Sequence, residues 1–101
     1  MEWVIEKRLG NSIEARFTIP FKVSQVVYYA HKKKWWKKNS KWVVSVCVVT
    51  GVWATNTYGV TLDNGDQIYY GDFDLLFTDK EEAIEYCIKK NAHAKVKVYG
   101  G

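Results

Sequence analysis

Residues 41–54 read Lys-Trp-Val-Val-Ser-Val-Cys-Val-Val-Thr-Gly-Val-Trp-Ala and form the strongest β-favouring run of the chain. Valine and tryptophan are typical of strands, and here the apolar residues occupy both odd and even positions. A strand without a polar face is typical of the middle of a sheet, where both sides are buried. We therefore predict a central strand over residues 41–54, with Gly51 as a position where it can bend.

A β-hairpin is predicted at the N-terminus, from residues 3–9 and 12–19. Residues 12–19 alternate polar and apolar side chains, which is the period of a half-buried strand. A two-residue loop would mix polar and apolar residues on one face, so we predict a three-residue loop over residues 10–12. That loop produces the following apolar pairs: Leu9 with Ile13, Ile5 with Phe17, and Trp3 with Ile19.

More extended structure follows on both sides of the central strand. Pro20 interrupts the chain, and residues 21–30 are predicted to be extended. Residues 58–70 are predicted to form a second hairpin, whose three-residue Asp63-Asn64-Gly65 loop needs a left-handed Gly65. This register sets two pairs of residues opposite each other: Val60 with Ile68, and Tyr58 with Tyr70.

One helix is predicted, and it begins after Thr78. The sequence Thr78-Asp79-Lys80-Glu81 has the spacing of a capping box, with Thr78 as the N-cap and Glu81 at the third helical position. The helix ends near Asn91, and a short strand follows within residues 93–99. One apolar stripe of the helix is expected to be buried: Ala83, Ile84, Cys87 and Ile88.

The stretch from about Phe21 to Asn91, without the N-terminal hairpin and the Lys/Trp-rich segment, resembles small phage- and prophage-encoded proteins of the SH3-like barrel type. The resemblance is carried by residues 21–28, 42–51 and 63–65, and most specifically by Leu75-Leu76-Phe77-Thr78-Asp79-Lys80-Glu81-Glu82-Ala83. Gln25 stands where such proteins often have a Gly-Asp turn. The resemblance implies a β-rich α+β fold, a small, partly open SH3-like barrel of five to seven strands, and it transfers no functional residues. The predicted single domain, 1–101, comprises an N-terminal hairpin (1–20), a barrel core (21–77), a C-terminal helix (78–91) and a terminal strand (93–99).

Length and composition set the broad class of protein. The chain has 101 residues, 48% of them hydrophobic and 26% charged, which is typical of one globular domain. No apolar run approaches the roughly 20 residues of a membrane span. The N-terminus lacks the basic start and apolar stretch of a signal peptide, so we expect a cytoplasmic protein, in the host cytoplasm if a phage encodes it.

Charge is strongly segregated along the chain. Residues 31–42, here called the basic loop, contain six lysines and no acidic residue, whereas residues 63–85 contain eight acidic residues and one lysine. We expect a polyanion to bind at the basic loop. An acidic protein surface is the other partner that this charge would attract.

No catalytic or metal site is predicted, and no cofactor. Cys47, Cys87, His31 and His93 form no Cys-x-x-Cys or His-x-x-x-His pair of the kind typical of zinc sites, and the nearest two, Cys87 and His93, lie six positions apart. We interpret both cysteines as reduced residues of the core. The acidic residues lack an accompanying nucleophile, base and oxyanion donor, so we expect no enzymatic activity.

The basic loop combines cations with indole rings, which is the chemistry of nucleic-acid binding. Six lysines would contact phosphates, and the adjacent Trp35 and Trp36 point opposite ways in an extended segment, so both are difficult to bury. The predicted binding residues are Lys32, Lys33, Lys34, Trp35, Trp36, Lys37, Lys38 and Lys41. One open alternative is a solvated loop whose tryptophans, Trp42 included, pack on the barrel. A second is a phage-type accessory protein that binds, and could inhibit, a host defence protein through the acidic face of residues 63–85 or the Trp pair. The third is weak self-association of a monomer into a homodimer.

Overall fold

A computed structural model describes residues 3–9, 12–34, 36–55, 57–92 and 95–100. In chain order the elements are β1 (Trp3–Leu9), β2 (Ser12–Ile19), β3 (Val26–Lys32), β4 (Trp42–Ala54), β5 (Tyr58–Leu62), β6 (Gln67–Tyr69), a 3₁₀ helix (Tyr70–Leu75), β7 (Leu76–Phe77), α1 (Lys80–Lys90) and β8 (Val98–Tyr99). β1 and β2 pair with each other, and the other six strands belong to one open sheet. Over the described residues, a β-rich fold with one α-helix is confirmed, and the SH3-like barrel stays a prediction.

The chain divides into two compact units, Met1–Gln25 with Val48–Gly71 and Val26–Cys47 with Asp72–Gly101. In the first unit, β4 pairs antiparallel with β5, and β5 pairs antiparallel with β6. In the second unit, β3 has β4 and β7 as its neighbours, and β8 pairs in parallel with β4. β4 therefore has three partner strands, which confirms the central position predicted from its two apolar faces.

The N-terminal hairpin of the first unit has the predicted outer register but a different loop. The outer pairs are as predicted: Trp3 with Ile19, and Ile5 with Phe17. Leu9 pairs with Ser12 rather than with Ile13, so two residues and not three separate the strands. A β-bulge between Lys7 and Arg8 absorbs the difference of one residue. The predicted pairing of Leu9 with Ile13 is wrong, because a bulge lets a short loop coexist with the apolar pairs farther out.

The second hairpin has the predicted loop. Gly65 has a φ of 90°, and Val60 pairs with Ile68. Tyr70 is the first residue of the 3₁₀ helix, so it is not the strand partner of Tyr58. The two rings stack, with their centroids 4.7 Å apart. At Gly51, where the sequence predicts a bend, the register between β4 and β5 shifts.

The strand predicted from residue 21 begins five residues later. Ser24 has a φ of 75°, so the chain turns there before β3 starts at Val26 and continues to Lys32. The Ser24 N–H donates to the carbonyl of Val49 at 2.7 Å. The β-favouring residues Val23 and Val26 did not predict this turn, because it depends on the left-handed conformation of Ser24.

Helix α1 ends where predicted and begins one residue later than predicted. Asp79, not Thr78, is the N-cap: its carboxylate accepts from the N–H of Glu81 at 3.0 Å, and Thr78 is exposed. An Asp immediately before the first turn is as good a cap as Thr, and its carboxylate also complements the helix dipole. The predicted Thr78 capping box is therefore wrong.

The core of the second unit forms where α1 covers the sheet. One buried cluster there contains four fully buried residues: Ala30, Val44, Ala83 and Cys87. Ile84 packs against this cluster and Ile88 is half-buried, so the predicted apolar stripe faces the core side of the helix. Of the terminal segment 93–99, only Val98–Tyr99 is a strand in the described residues, and His93 and Ala94 lie outside them. Within the described ranges, no helix has the length and apolar sequence needed to cross a bilayer.

Candidate functional site

The basic loop connects β3 to β4, and backbone hydrogen bonds order it. The N–H of Lys33 donates to the carbonyl of Lys41 at 2.9 Å and closes the base of the loop. Two successive turns follow, in which Lys37 N–H donates to Lys34 O at 3.0 Å and Ser40 N–H donates to Lys37 O at 3.1 Å. The Ser40 hydroxyl also accepts from the N–H of Lys34 at 2.7 Å. The backbone is thus fixed by its own bonds, which leaves the lysine side chains available to a ligand.

The six predicted lysines project from the hydrogen-bonded backbone of the basic loop. Five of them are exposed and Lys32 is half-buried; the exposed ones are Lys33, Lys34, Lys37, Lys38 and Lys41. In the part of the chain that the structure describes, none of these six lysines forms an ion pair. The ion pair found there joins Lys89 and Glu85 of α1, at 4.0 Å. Six like charges within residues 31–42 repel one another, so binding an anion relieves an unfavourable interaction as well as adding a favourable one.

The tryptophans of the loop differ in burial. Trp36 is 63% exposed, which places a large aromatic surface among the lysines. Trp42 is half-buried and packs against the buried cluster of the second unit, which is the packing that the solvated-loop alternative gives this residue. The prediction for Trp35 lies outside the described residues.

His31 supports the loop from β3. Its Nδ1 lies 2.9 Å from the carbonyl oxygen of Lys32, and its Nε2 lies 2.7 Å from the hydroxyl of Ser45. A carbonyl only accepts, so Nδ1 donates, and in the neutral ring Nε2 accepts from Ser45. The ring also stacks on Tyr29, with centroids 4.8 Å apart. Both nitrogens are therefore used in the fold.

The two cysteines are also structural. Cys47 and Cys87 are buried and unbonded to each other, and the Cys87 thiol donates to the carbonyl of Val43 at 3.5 Å. Burial raises the pKa of Cys87 from 9.0 to about 11, which keeps the thiol protonated and unreactive. Among the described residues, no group of three or more His, Cys, Asp and Glu side chains is placed to hold a metal ion.

Trp42 is held in position by the end of α1. The Asn91 side chain accepts from the N–H of Trp42 at 2.7 Å and donates to its carbonyl at 2.9 Å. The Trp42 ring meets Tyr86 edge to face, with centroids 5.7 Å apart. The Nζ of Lys90 lies 5.7 Å from the Trp42 centroid and 5.4 Å from that of Tyr86. These contacts fix the indole at the border of the basic loop.

Two grooves of about 400 Å³ each flank Trp42 in the second unit. The first, here called the C-terminal groove, has an apolar lining of Trp42, Val43, Val96 and Tyr99. Four lysines line the same groove: Lys33, Lys41, Lys95 and Lys97. The second, here called the helix-end groove, is more polar, and its four lysines are Lys32, Lys38, Lys41 and Lys90. Trp42 and Lys41 are common to both grooves.

Three of these lysines were missed by sequence reasoning: Lys90, Lys95 and Lys97. Lys95 and Lys97 come next to the basic loop because β8 pairs with β4 in parallel, with Val98 opposite Val44, and because the N–H of Val44 donates to the carbonyl of Lys97 at 3.0 Å. Lys90 is the last residue of α1, and the bonds of Asn91 to Trp42 bring it there. The available signal was that residues 86–101 contain four lysines and no acidic residue. Charge alone did not show that this segment lies beside the basic loop, since the pairing of β8 with β4 joins residues more than fifty positions apart.

Two aromatic ring pairs lie in the first unit, and each includes one tyrosine of the acidic segment 63–85. Tyr69 and Tyr70 are 50% and 53% exposed. Trp53 packs edge to face on Tyr69 at 5.1 Å between centroids, and Tyr58 stacks on Tyr70. In the second unit, Asp79 and the other acidic residues of the first turn of α1 are exposed, as expected for a solvated helix end.

No protein-family model, no curated protein and no solved structure matches the chain. The function proposed below therefore rests on the chemistry of the site itself.

Proposed function

We propose that this protein is a non-catalytic module that binds nucleic acid through the basic loop. The observation that supports this most directly is the cluster of six lysines on a hydrogen-bonded loop, with the exposed ring of Trp36 among them. Lysine side chains release condensed counterions when they contact phosphates, and this release supplies much of the affinity for nucleic acid. An exposed indole adds stacking on unpaired bases.

In this proposal the six lysines and the aromatic residues have different roles. Lys32, Lys33, Lys34, Lys37, Lys38 and Lys41 contact phosphates and act on every sequence alike. Trp36, and Trp35 next to it, stack on bases. Because any base offers a flat face, stacking favours single strands without selecting a sequence.

The lysine role is tested by a pair of matched double variants. Lys37→Gln with Lys38→Gln removes two charges from the loop, and Lys22→Gln with Lys80→Gln removes two exposed charges elsewhere. Binding of a labelled oligonucleotide is measured by fluorescence anisotropy at several salt concentrations. The loop variant should lower the salt slope by about 1.4 on a single strand, which is about 0.7 for each lost contact. The proposal fails if the two variants give the same slope.

The stacking role is tested at Trp36. Trp36→Ala should weaken single-strand binding by about 1–3 kcal/mol and duplex binding much less. Trp36→Phe is the matched control, since it keeps an aromatic face and should retain most of the affinity. Equal losses on single strand and duplex would contradict stacking.

A second candidate function is protein binding, as a phage-type accessory protein that binds and could inhibit a host defence protein. It is favoured by the exposed Tyr69 and Tyr70, because clustered aromatic residues are typical anchors of protein interfaces. Under this alternative, Tyr69→Ala or Trp36→Ala would abolish a complex captured from a host lysate, while oligonucleotide affinity stays negligible in every variant.

We also propose a single domain over residues 1–101, arranged as a partly open SH3-like barrel, that works in the cytoplasm as a monomer or weak homodimer. The support is an open sheet of six strands with one flanking helix, in a chain with 48% hydrophobic residues. A single cooperative unfolding transition, seen by both fluorescence and circular dichroism, would support one domain. Two separate transitions would contradict it.

A further inference from the structure

We infer that the C-terminal groove is a second contact region for nucleic acid and that it takes an unpaired base of a single strand. The inference rests on the proposed function and deepens it, because it specifies single-stranded nucleic acid as the partner. It also assigns binding roles to Lys95, Lys97 and Tyr99, outside the basic loop.

The chemistry of the groove is that of a nucleotide site. Its apolar side is formed by Trp42, Val43 and Val96, and Val43 is only 4% exposed, so the groove reaches the core of the sheet. Its charged side consists of four lysines, all exposed. A base fits the apolar part and its phosphates fit the lysines, whereas a neutral apolar ligand would gain no attraction from the four cations.

Lys97 and Tyr99 place a cation beside an aromatic ring in the groove. The Nζ of Lys97 lies 5.8 Å from the centroid of the Tyr99 ring, and Tyr99 as a residue is 37% exposed. A cation next to an aromatic face matches a nucleotide, which presents a phosphate next to a base. The groove volume of about 400 Å³ lies within the range of roughly 300–1,000 Å³ that is usual for small-ligand sites.

The groove favours a single strand over a duplex for a geometric reason. In a duplex the base faces are stacked on one another, so only the phosphates would reach Lys33, Lys41, Lys95 and Lys97. An unpaired base can turn out of the strand and enter the groove. Since Lys33 and Lys41 belong to the basic loop as well, one strand can run from the loop into the groove without a gap in positive charge.

The direct test is a nuclear magnetic resonance titration of the whole ¹⁵N-labelled chain with a thymidine oligomer and with a duplex of equal length. The oligomer should shift the amide signals of Val96 and Tyr99 and the indole signal of Trp42. The duplex should shift the amides of Lys37 and Lys38 while leaving the indole signal of Trp42 nearly unchanged. The inference is overturned if the bound oligomer shifts only the loop signals.

Variants give a second and independent test. Lys95→Gln with Lys97→Gln should lower the salt slope for the oligomer by about 1.4, whereas Lys22→Gln with Lys80→Gln should leave it unchanged. Tyr99→Val, which retains a β-favouring residue in β8, should weaken oligomer binding about 5- to 150-fold and duplex binding much less.

The possible failures can be told apart. If Lys37→Gln with Lys38→Gln weakens binding and Lys95→Gln with Lys97→Gln behaves like the charge control, the groove inference is wrong and the proposed function stands. If the unmodified protein binds no oligonucleotide at low salt, both are wrong. If Tyr99→Val lowers the melting temperature, the titration of the unmodified protein decides.

Discussion

Asn91 joins the end of α1 to the start of β4, and its removal should destabilise the protein measurably. Its side chain makes two hydrogen bonds to the backbone of Trp42, one accepted at 2.7 Å and one donated at 2.9 Å, and both are partly buried. Asn91→Ala leaves a backbone N–H and a carbonyl without these partners. Each bond contributes about 0.5–1.5 kcal/mol, so the free energy of unfolding should fall by about 1–3 kcal/mol.

The measurement is urea denaturation followed by tryptophan fluorescence. With a dependence of about 2 kcal/mol per molar urea, a loss of about 2 kcal/mol lowers the midpoint by about 1 M. Asn39→Ala is the matched control, because Asn39 is exposed in the basic loop and should leave the midpoint unchanged. An Asn91→Ala midpoint equal to that of the control would refute the role given to these two bonds.

Three further predictions test the fold. Asp79→Ala should cost about 1 kcal/mol of stability and Thr78→Ala almost nothing, as measured by denaturation midpoints, since only Asp79 caps α1; the reverse order would restore the capping box. Gly59→Ala should destabilise strongly, because a Cβ there would collide with the backbone of Ile68 and lie 2.8 Å from the Trp53 ring; a stable variant would show that β5 and β6 shift easily. Cys87 should be alkylated only on unfolding. Because its folded pKa is raised from 9.0 to about 11, its contribution to stability is present below pH 9 and is lost as the pH rises from about 9 to 11, an effect absent in Cys87→Ala.

The strand pattern was predictable where side-chain alternation determines it. Val60 opposite Ile68 followed from the Asn-Gly sequence and the left-handed Gly65, because a wrong register would have reversed the buried face. The N-terminal loop was not predictable in the same way. A bulge next to Arg8 changes the register by one residue, and the alternation of polar and apolar residues does not predict where such a bulge lies.

The site was predictable only in part. The lysines of the basic loop are consecutive or nearly so, and their charge is visible in the sequence. Lys95 and Lys97 join them through the parallel pairing of β8 with β4, which is a long-range contact that no local pattern encodes. The position of Trp42 between two grooves likewise depends on Asn91, forty-nine residues away.

The central claim is that this protein binds single-stranded nucleic acid through its lysines and aromatic rings. It is tested most directly by fluorescence anisotropy of the unmodified protein with a labelled thymidine oligomer and with a duplex, at about 50 mM and about 200 mM salt. If four to six lysines contact phosphates of the single strand, its affinity should fall roughly 50- to 300-fold between the two salt concentrations. At the higher salt concentration the single strand should bind more tightly than the duplex, because stacking is less sensitive to salt than phosphate contacts are. Affinity that is negligible at the lower salt concentration, or that does not change with salt, would contradict the claim.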